Sequence, residues 1–485
     1  MYYPSKDEFI KLAKKGNLIP VCLEINADIE TPISAFKKIQ SNYSFLLESV
    51  EGGEDVARYS FLSCDPGLIF KSKSNQIEII KNNKKIIFNG NPMHELKKII
   101  SKFKPVNMPG LPRFHGGLVG YIGYEAVRFF EKIPNKNKDY LGLPDIQMIL
   151  TDTFMAFDHV KRKIIIISNA HVEKNPETAY KQAIGKIDKL SKKLKKTVKL
   201  KTIKSNKNGK LKVKSLISKA DFIKKIKTAK KYIRKGDIIQ VVLSNRFESK
   251  VNVDPFDIYR QLRSINPSPY MYYLSFGDLK LIGASPEVMV RMENDLVTLR
   301  PIAGTRQRGK TAETDKKLIK DLLSSVKEKA EHLMLVDLGR NDIGRVCEPG
   351  SIKINDYMTV EKYSHVMHIV SQVNGKIREN KDSFDLFAAC FPAGTVSGAP
   401  KVRAMEIIDE IESSQRGPYA GAVGYFSFSG EMDTCINIRT IVLKKNTAYI
   451  QSGAGIVFDS NPEKEVQEIN NKAQALFKAI ANAKE

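Results

Sequence analysis

Two pairs of glutamates have the spacing for chemistry: Glu328 with Glu331, and Glu465 with Glu468. Each pair is three residues apart within a helix-periodic stretch, so both carboxylates leave one helix face. Two such helices facing each other could hold a hard divalent cation, since Mg²⁺ commonly takes one or two carboxylates and fills its shell with water and substrate oxygens. The same spacing serves an ordinary solvated face with ion pairs, for which Lys472, one turn beyond Glu468, is a ready partner. Spacing alone leaves both readings open. Glycine-rich loops at Ala303-Gly304-Thr305, Ala393 to Pro400 and Ser452 to Gly455 would let backbone N–H groups approach an anion. None has the spacing of a Walker or dinucleotide fingerprint. His365 and His368 sit in the mostly apolar YSHVMHIVS, where a histidine is more often structural than a proton carrier.

Such residues need elements to hold them. Phe222, Ile226, Ala229 and Ile233 recur at helical spacing and Gly236 follows, predicting a helix that runs into the strand-like Ile238 to Phe247. A second predicted helix covers Asp315 to Leu338. A third follows TVSGAP, with Pro400 in its first turn and Val402, Ala404, Met405 and Ile408 toward the core. The last begins at Pro462 and aligns Val466, Ile469, Ala473, Phe477 and Ile480 on one face. Toward the N-terminus, polar and apolar residues alternate over Gln76 to Ile80, Lys85 to Phe88 and Arg162 to Ile167, the pattern of short antiparallel strands. Strands mixed with long helices, without regular alternation, predict an α+β fold of mostly antiparallel sheets with packed helices.

With 485 residues, 42% hydrophobic and 27% charged, the chain has ordinary globular composition and can bury a large core. Its longest uncharged stretch, the 15 residues from Leu386 to Pro400, falls short of the roughly 18 apolar residues of a spanning helix and contains two prolines. Lysines and acids interrupt the first residues where a secretory signal needs an apolar run, so the expected location is the cytoplasm, away from any membrane. Five scattered cysteines form no CxxC pair, which argues against both a disulfide scaffold and a structural zinc site. The net charge of +25 raises a nucleic-acid-binding reading. Much of it, however, lies between Ile187 and Lys214, where 12 lysines face one acid and no aromatic residue offers a stacking platform. That run reads as a solvated linker (187–214) between an N-terminal unit (1–186) and a C-terminal unit (215–485).

The order of short motifs resembles the chorismate-utilising enzymes, and within them component I of anthranilate synthase. The resemblance runs through LLES (46–49), ARYSFL (57–62), NPSPYMYY (266–273), GASPE (283–287), RPIAGTR (300–306) and EHLMLVDLGRND (331–342). It continues through YSHVMHIVS (363–371), AGTVSGAPK (393–401), YAGAVGY (419–425), DTCINIRT (433–440) and QSGAGIVFDSNPEKEVQEINNKA (451–473). It implies an N-terminal regulatory region followed by a chorismate-binding catalytic domain. The implied reaction adds ammonia at C2 of chorismate as the C4 hydroxyl leaves, then eliminates pyruvate to give anthranilate for tryptophan synthesis.

The same resemblance assigns roles. Glu331 and Glu468 would ligate Mg²⁺ against the ring carboxylate, with Glu328 and Glu465 as further carboxylates of that site. Arg439 would clamp the enolpyruvyl carboxylate, assisted by Tyr419 and the backbone of Gly304, Thr305, Gly453, Ala454 and Gly455. Glu287 would protonate the departing hydroxyl, with His368 and Thr395 nearby. Relatives that use water place a lysine where this chain has Gln240, and aminodeoxychorismate synthases place one where it has Ala303, so the pair favours amination to anthranilate over the aminodeoxy product. No cysteine lies on a nucleophile elbow, implying a separate glutamine amidotransferase subunit as ammonia source. Ser49, Pro269, Tyr270 and Met271 would contact L-tryptophan as feedback inhibitor; the absence of tryptophan from the chain agrees with that pathway.

Overall fold

The computed structural model describes residues 2–49, 58–198, 211–363 and 366–484. His365 and part of the lysine run therefore lie outside the described residues. The strands that position the site are β1 (Tyr43–Glu48), β2 (Gly117–Ile122), β3 (Gln240–Lys250), β4 (Tyr270–Phe276), β5 (Leu279–Ser285) and β6 (Val288–Glu293). They are followed by β7 (Ile302–Gln307), β8 (Val366–Val370), β9 (Ala422–Ser427), β10 (Met432–Ile436), β11 (Thr440–Lys444) and β12 (Thr447–Ile456). The helices are α1 (Pro176–Leu194), α2 (Lys219–Lys235), α3 (Ala312–Ser324), α4 (Val326–Gly344), α5 (Lys401–Ile411) and α6 (Pro462–Ala483).

Two large sheets, of 13 and 11 strands among the described residues, form the body, and β7 and β8 belong to a third sheet of three. The first two pack face to face: Phe45, Tyr272 and Leu274 of one meet Val119, Tyr121, Val423 and Tyr425 of the other in a single apolar cluster. Helices cover the other side of the larger sheet, where Ile226 of α2 and Ile469 and Ala473 of α6 cluster with Leu243 and Ala454. The architecture is the expected α+β one. Among the described residues no helix is long and apolar enough to cross a membrane.

The division into two units differs from the sequence reading. In the larger sheet β1 pairs antiparallel with β4, Glu48 opposite Met271. In the second sheet β2 pairs antiparallel with β9, Tyr121 opposite Val423. The segments on either side of the lysine run thus share both sheets, because each supplies strands whose apolar faces need the other's. The linker also starts later than residue 187: α1 continues to Leu194, burying Ile187, Leu190 and Leu194 beneath its lysines. The single helix predicted over 315–338 is two. Ser325 is extended at the break, and its side chain accepts the Glu328 N–H at 3.3 Å, which starts α4 afresh. In α5, Ala404, Met405 and Ile408 reach the core as predicted, but Val402 faces outward.

Candidate active site

The helix break at Ser325 decides where two carboxylates go, because it places Glu328 in the first turn of α4 and Glu331 one turn on. Facing them, α6 starts at Asn461, whose side chain accepts the N–H groups of Glu463 and Lys464 at 3.0 Å, and then presents Glu465 and Glu468. Burial raises the pKa of Glu331, with added push from the negative charges of Glu328 and, across the gap, Glu468. Burial likewise raises that of Glu465, again with Glu468 adding. Like charges held this close favour a cation between them. Two of the four are in ion pairs: Arg306 donates to Glu328 at 3.2 Å, and Lys472 pairs with Glu468 at 2.6 Å. Glu331 has only a long 3.4 Å hydrogen bond from the Gln240 amide. Among the described residues no group of three or more His, Cys, Asp or Glu is arranged to enclose a metal. Glu331 and Glu468, one from each helix, are compatible with a hard cation that takes one or two carboxylates and fills its shell with water and substrate oxygens, Glu468 then giving up its pairing with Lys472.

Glu287 lies in the short connection between β5 and β6, where its carbonyl accepts the Ile436 N–H at 3.0 Å. Its side chain is buried. Burial pushes the carboxyl up to about 8, against the Thr395 hydroxyl and the charge of Lys472, which both pull it down. It is thus protonated at neutral pH. Glu287 and Thr395 line a cavity of about 420 Å³ with Leu335, Leu338 and Asp342 of α4.

Backbone loops close around the same region. Gly304 sits at a bulge in β7 with φ of +62°, and a Cβ there would meet Glu328 Oε2 at 3.1 Å, so only glycine fits comfortably. His368 on β8 is 3.0 Å through Nδ1 from both the Gly304 carbonyl and the Thr305 hydroxyl, and burial lowers its pKa. On β12, a Cβ at Gly453 would strike the Tyr419 hydroxyl at 2.6 Å and one at Gly455 the Gln240 amide at 2.4 Å. Ala454 between them is fully buried. Arg439 donates to the Lys472 carbonyl at 3.2 Å and has no carboxylate partner among the described residues, although Tyr419 and Glu468 are within electrostatic reach. That leaves its fork open for an anionic ligand. Ala303 and Gln240 are both buried, the Gln240 Oε1 has no hydrogen-bond partner among the described residues, and neither side chain carries an amine.

Ser49, Pro269, Tyr270 and Met271 come together elsewhere, lining a pocket between the two sheets with Arg113, Arg291 and Asp433. Tyr270 donates to Asp433 at 2.8 Å, and Arg291 pairs with Asp433 at 3.2 Å.

Residues 43–478 match the family described as chorismate binding enzyme. The chain belongs to that family. It is 53% identical over 492 residues to anthranilate synthase component 1 of Acetivibrio thermocellus, covering 100% of both chains. It is 48% identical over 486 residues to the protein of that name from Aquifex aeolicus, covering 99% and 98%. The crystal structure of anthranilate synthase component I from Streptococcus pneumoniae superposes with a TM-score of 0.76 at 39% identity, covering 93% of this chain and 98% of that one. The resemblance read from the motifs therefore extends over the whole length.

Sequence reasoning missed the network that holds Tyr419 in this chorismate binding enzyme. Arg416 is fully buried, forks onto Glu412 at 2.9 and 2.8 Å, and donates to the carbonyls of Val396 and Val242 at 2.7 Å. Its guanidinium lies 4.7 Å from the ring of Tyr124 and 5.7 Å from that of Tyr419. Glu125 caps the turn by accepting the N–H groups of Arg416 and Gly417 at 2.9 Å. Glu412 and Arg416 are one helical turn apart in sequence, but Tyr124, Glu125, Val242 and Val396, which complete the network, come from other parts of the chain that no local spacing links to them. Asp433, Arg291 and Arg113 of the second cavity escaped for the same reason.

Proposed function

We propose that this chain is the chorismate-aminating component of an anthranilate synthase, a Mg²⁺-dependent lyase of the cytoplasm that works with a glutaminase subunit. The observation that carries the reading is the fork of Arg439, which has no carboxylate partner among the described residues; with it go Glu287, whose carboxyl burial pushes up to about 8, and buried Gln240 and Ala303, which offer no amine to compete with ammonia. Arg439 would hold the enolpyruvyl carboxylate, assisted by Tyr419 and by the N–H groups of residues 304–305 and 453–455. Glu331 and Glu468 would hold Mg²⁺, which when bound supplies positive charge against the ring carboxylate. The ammonia lone pair forms the C2–N bond, the ring double bonds shift, and the C4–O bond breaks. Glu287 gives its proton to that oxygen, so that water departs rather than hydroxide. His368, whose Nδ1 contacts the Gly304 carbonyl, would handle a proton as pyruvate leaves.

The deciding experiment mixes purified chain, chorismate, Mg²⁺ and an ammonium salt and follows anthranilate fluorescence. A product that retains the enolpyruvyl group would move the assignment to aminodeoxychorismate synthesis. Glutamine is expected to be inert with the isolated chain. All five cysteines are buried, and burial raises the thiol pKa of each, Cys64 and Cys347 to about 11, so none is a ready nucleophile. Glutamine-driven turnover by pure chain would contradict this.

The second cavity would take L-tryptophan, with Asp433 and the two arginines offering charges of both signs to an amino-acid zwitterion and Pro269 and Met271 an apolar wall. Because the chain lacks tryptophan, indole emission excited at its red edge reports the bound ligand. Wild type is expected to shift that emission and lose activity, and linkage then requires chorismate to weaken tryptophan binding. Ser49→Phe should do neither yet still turn over chorismate; inhibition as strong as in wild type would exclude the cavity.

A further inference from the structure

Beside buried Gln240, three large apolar side chains face solvent: Ile239 (63% exposed), Phe458 (60%) and Val402 (41%). Backbone pairing makes them neighbours. Ile239 N–H donates to the Ala399 carbonyl at 2.8 Å, just before the turn into α5 and Val402. Val241 pairs with Ile456, two residues before Phe458. Arg403, next to Val402, stacks 5.5 Å from the ring of Tyr232 in α2, and Lys230 of α2 donates to the Ser460 carbonyl at 2.5 Å. One surface therefore joins the end of α2, the start of α5 and the loop after β12. Exposed apolar groups gathered in this way mark an interaction site more often than scattered ones do.

The charge around them is one-sided. α2 carries eight Lys or Arg against a single acid. Lys227, Lys231, Arg234 and Lys235 recur at helical spacing on its exposed side, and none pairs with an acid among the described residues. The nearby acids are already used: Asp237, Glu406 and Glu410 all pair with Arg403.

We propose that this surface seats the ammonia-producing subunit, through an apolar contact on Ile239, Val402 and Phe458 and an acidic rim facing the α2 cations. The inference rests on the proposed amination of chorismate, and it explains the location: Ile239 adjoins Gln240, so a subunit seated here releases ammonia next to the pocket. The partner hydrolyses the side-chain amide of glutamine with water, giving glutamate and ammonia, a step for which the buried thiols of this chain are unsuited.

The test uses the full chain assembled with its glutaminase subunit and two variants outside the catalytic pocket. One is Val402→Glu with Phe458→Glu; the other is Lys227→Glu, Lys231→Glu and Arg234→Glu. A control carries Ile86→Glu and Ile87→Glu, a pair of exposed isoleucines on the edge strand Lys84–Asn89. Ammonium-driven turnover is expected to stay within about twofold of wild type in all three, which also certifies folding. Glutamine-driven turnover and the mass of the complex by light scattering should both fall, by about tenfold or more, in the two surface variants only. Raising salt from about 0.05 M to about 0.5 M should loosen the wild-type complex, as screening of opposite charges requires. If both surface variants keep glutamine-driven turnover and complex mass, or if only the Ile86/Ile87 control loses them, the subunit docks elsewhere. A wild-type chain that makes no anthranilate from ammonium would instead overturn the amination reading, and complex mass would still decide the docking.

Discussion

Glu287→Gln is expected to slow the amination step by about 10² to 10⁴, the usual worth of a positioned proton donor, while the protein stays folded. The amide keeps the shape and loses the proton that turns the C4 hydroxyl into water. In wild type, amination should decline as pH rises through about 8, where the buried carboxyl loses its proton, and that limb should vanish in the variant. The variant should lose activity without losing stability. The folded state holds the Glu287 proton up to about 8, whereas the unfolded chain releases it near the ordinary 4.5. The contribution to stability is therefore complete below the lower value and is lost as pH rises through the higher one. The variant carries no such penalty, so its Tm should match or exceed that of wild type, increasingly so at alkaline pH. Unchanged amination in single-turnover kinetics would place the acid elsewhere.

Glu331→Gln and Glu468→Gln should each cut Mg²⁺-dependent turnover by roughly 10²-fold or more, since even residues that only support a metal ligand cost 10–100-fold when removed. Each substitution takes one of two anionic donors from a hard cation that has few protein ligands to spare. Calorimetric Mg²⁺ titration should show weakened binding in both variants. With chelator present, Glu331→Gln should melt at the same temperature as wild type or higher, because it removes a buried charge crowded by Glu328 and Glu468. Wild-type rates in either variant would return these glutamates to an ordinary solvated face.

Features written in local sequence were legible. The stripe of α6, the Gly236 stop of α2 and the i,i+3 glutamates all follow from helical periodicity, and the structure places them as read. The break at Ser325 was not, because two serines in a strongly helical stretch look tolerable until the Ser325 side chain is seen capping the next turn. Val402 has the spacing of a core residue, yet its side of α5 lacks a covering element. The assembly of Glu125, Arg416 and Tyr419, like that of Arg291 and Asp433 around Tyr270, depends on contacts between remote segments that no local pattern encodes. Motif order pointed to the candidate site residues, and the geometry added which of their carboxylates already form ion pairs.

The pairing of Glu48 with Met271, and of Tyr121 with Val423, also governs how this protein can be made. As the chain leaves the ribosome, β1 and β2 emerge long before β4 and β9 exist, so their open edges and apolar faces wait through most of translation. Pairing between such remote segments carries a large loop-closure cost and forms late. Unpaired edges in the interval invite association with other chains. Shielding of the nascent N-terminal half, by chaperones or by rapid synthesis, is the price of a fold in which neither half can finish a sheet alone.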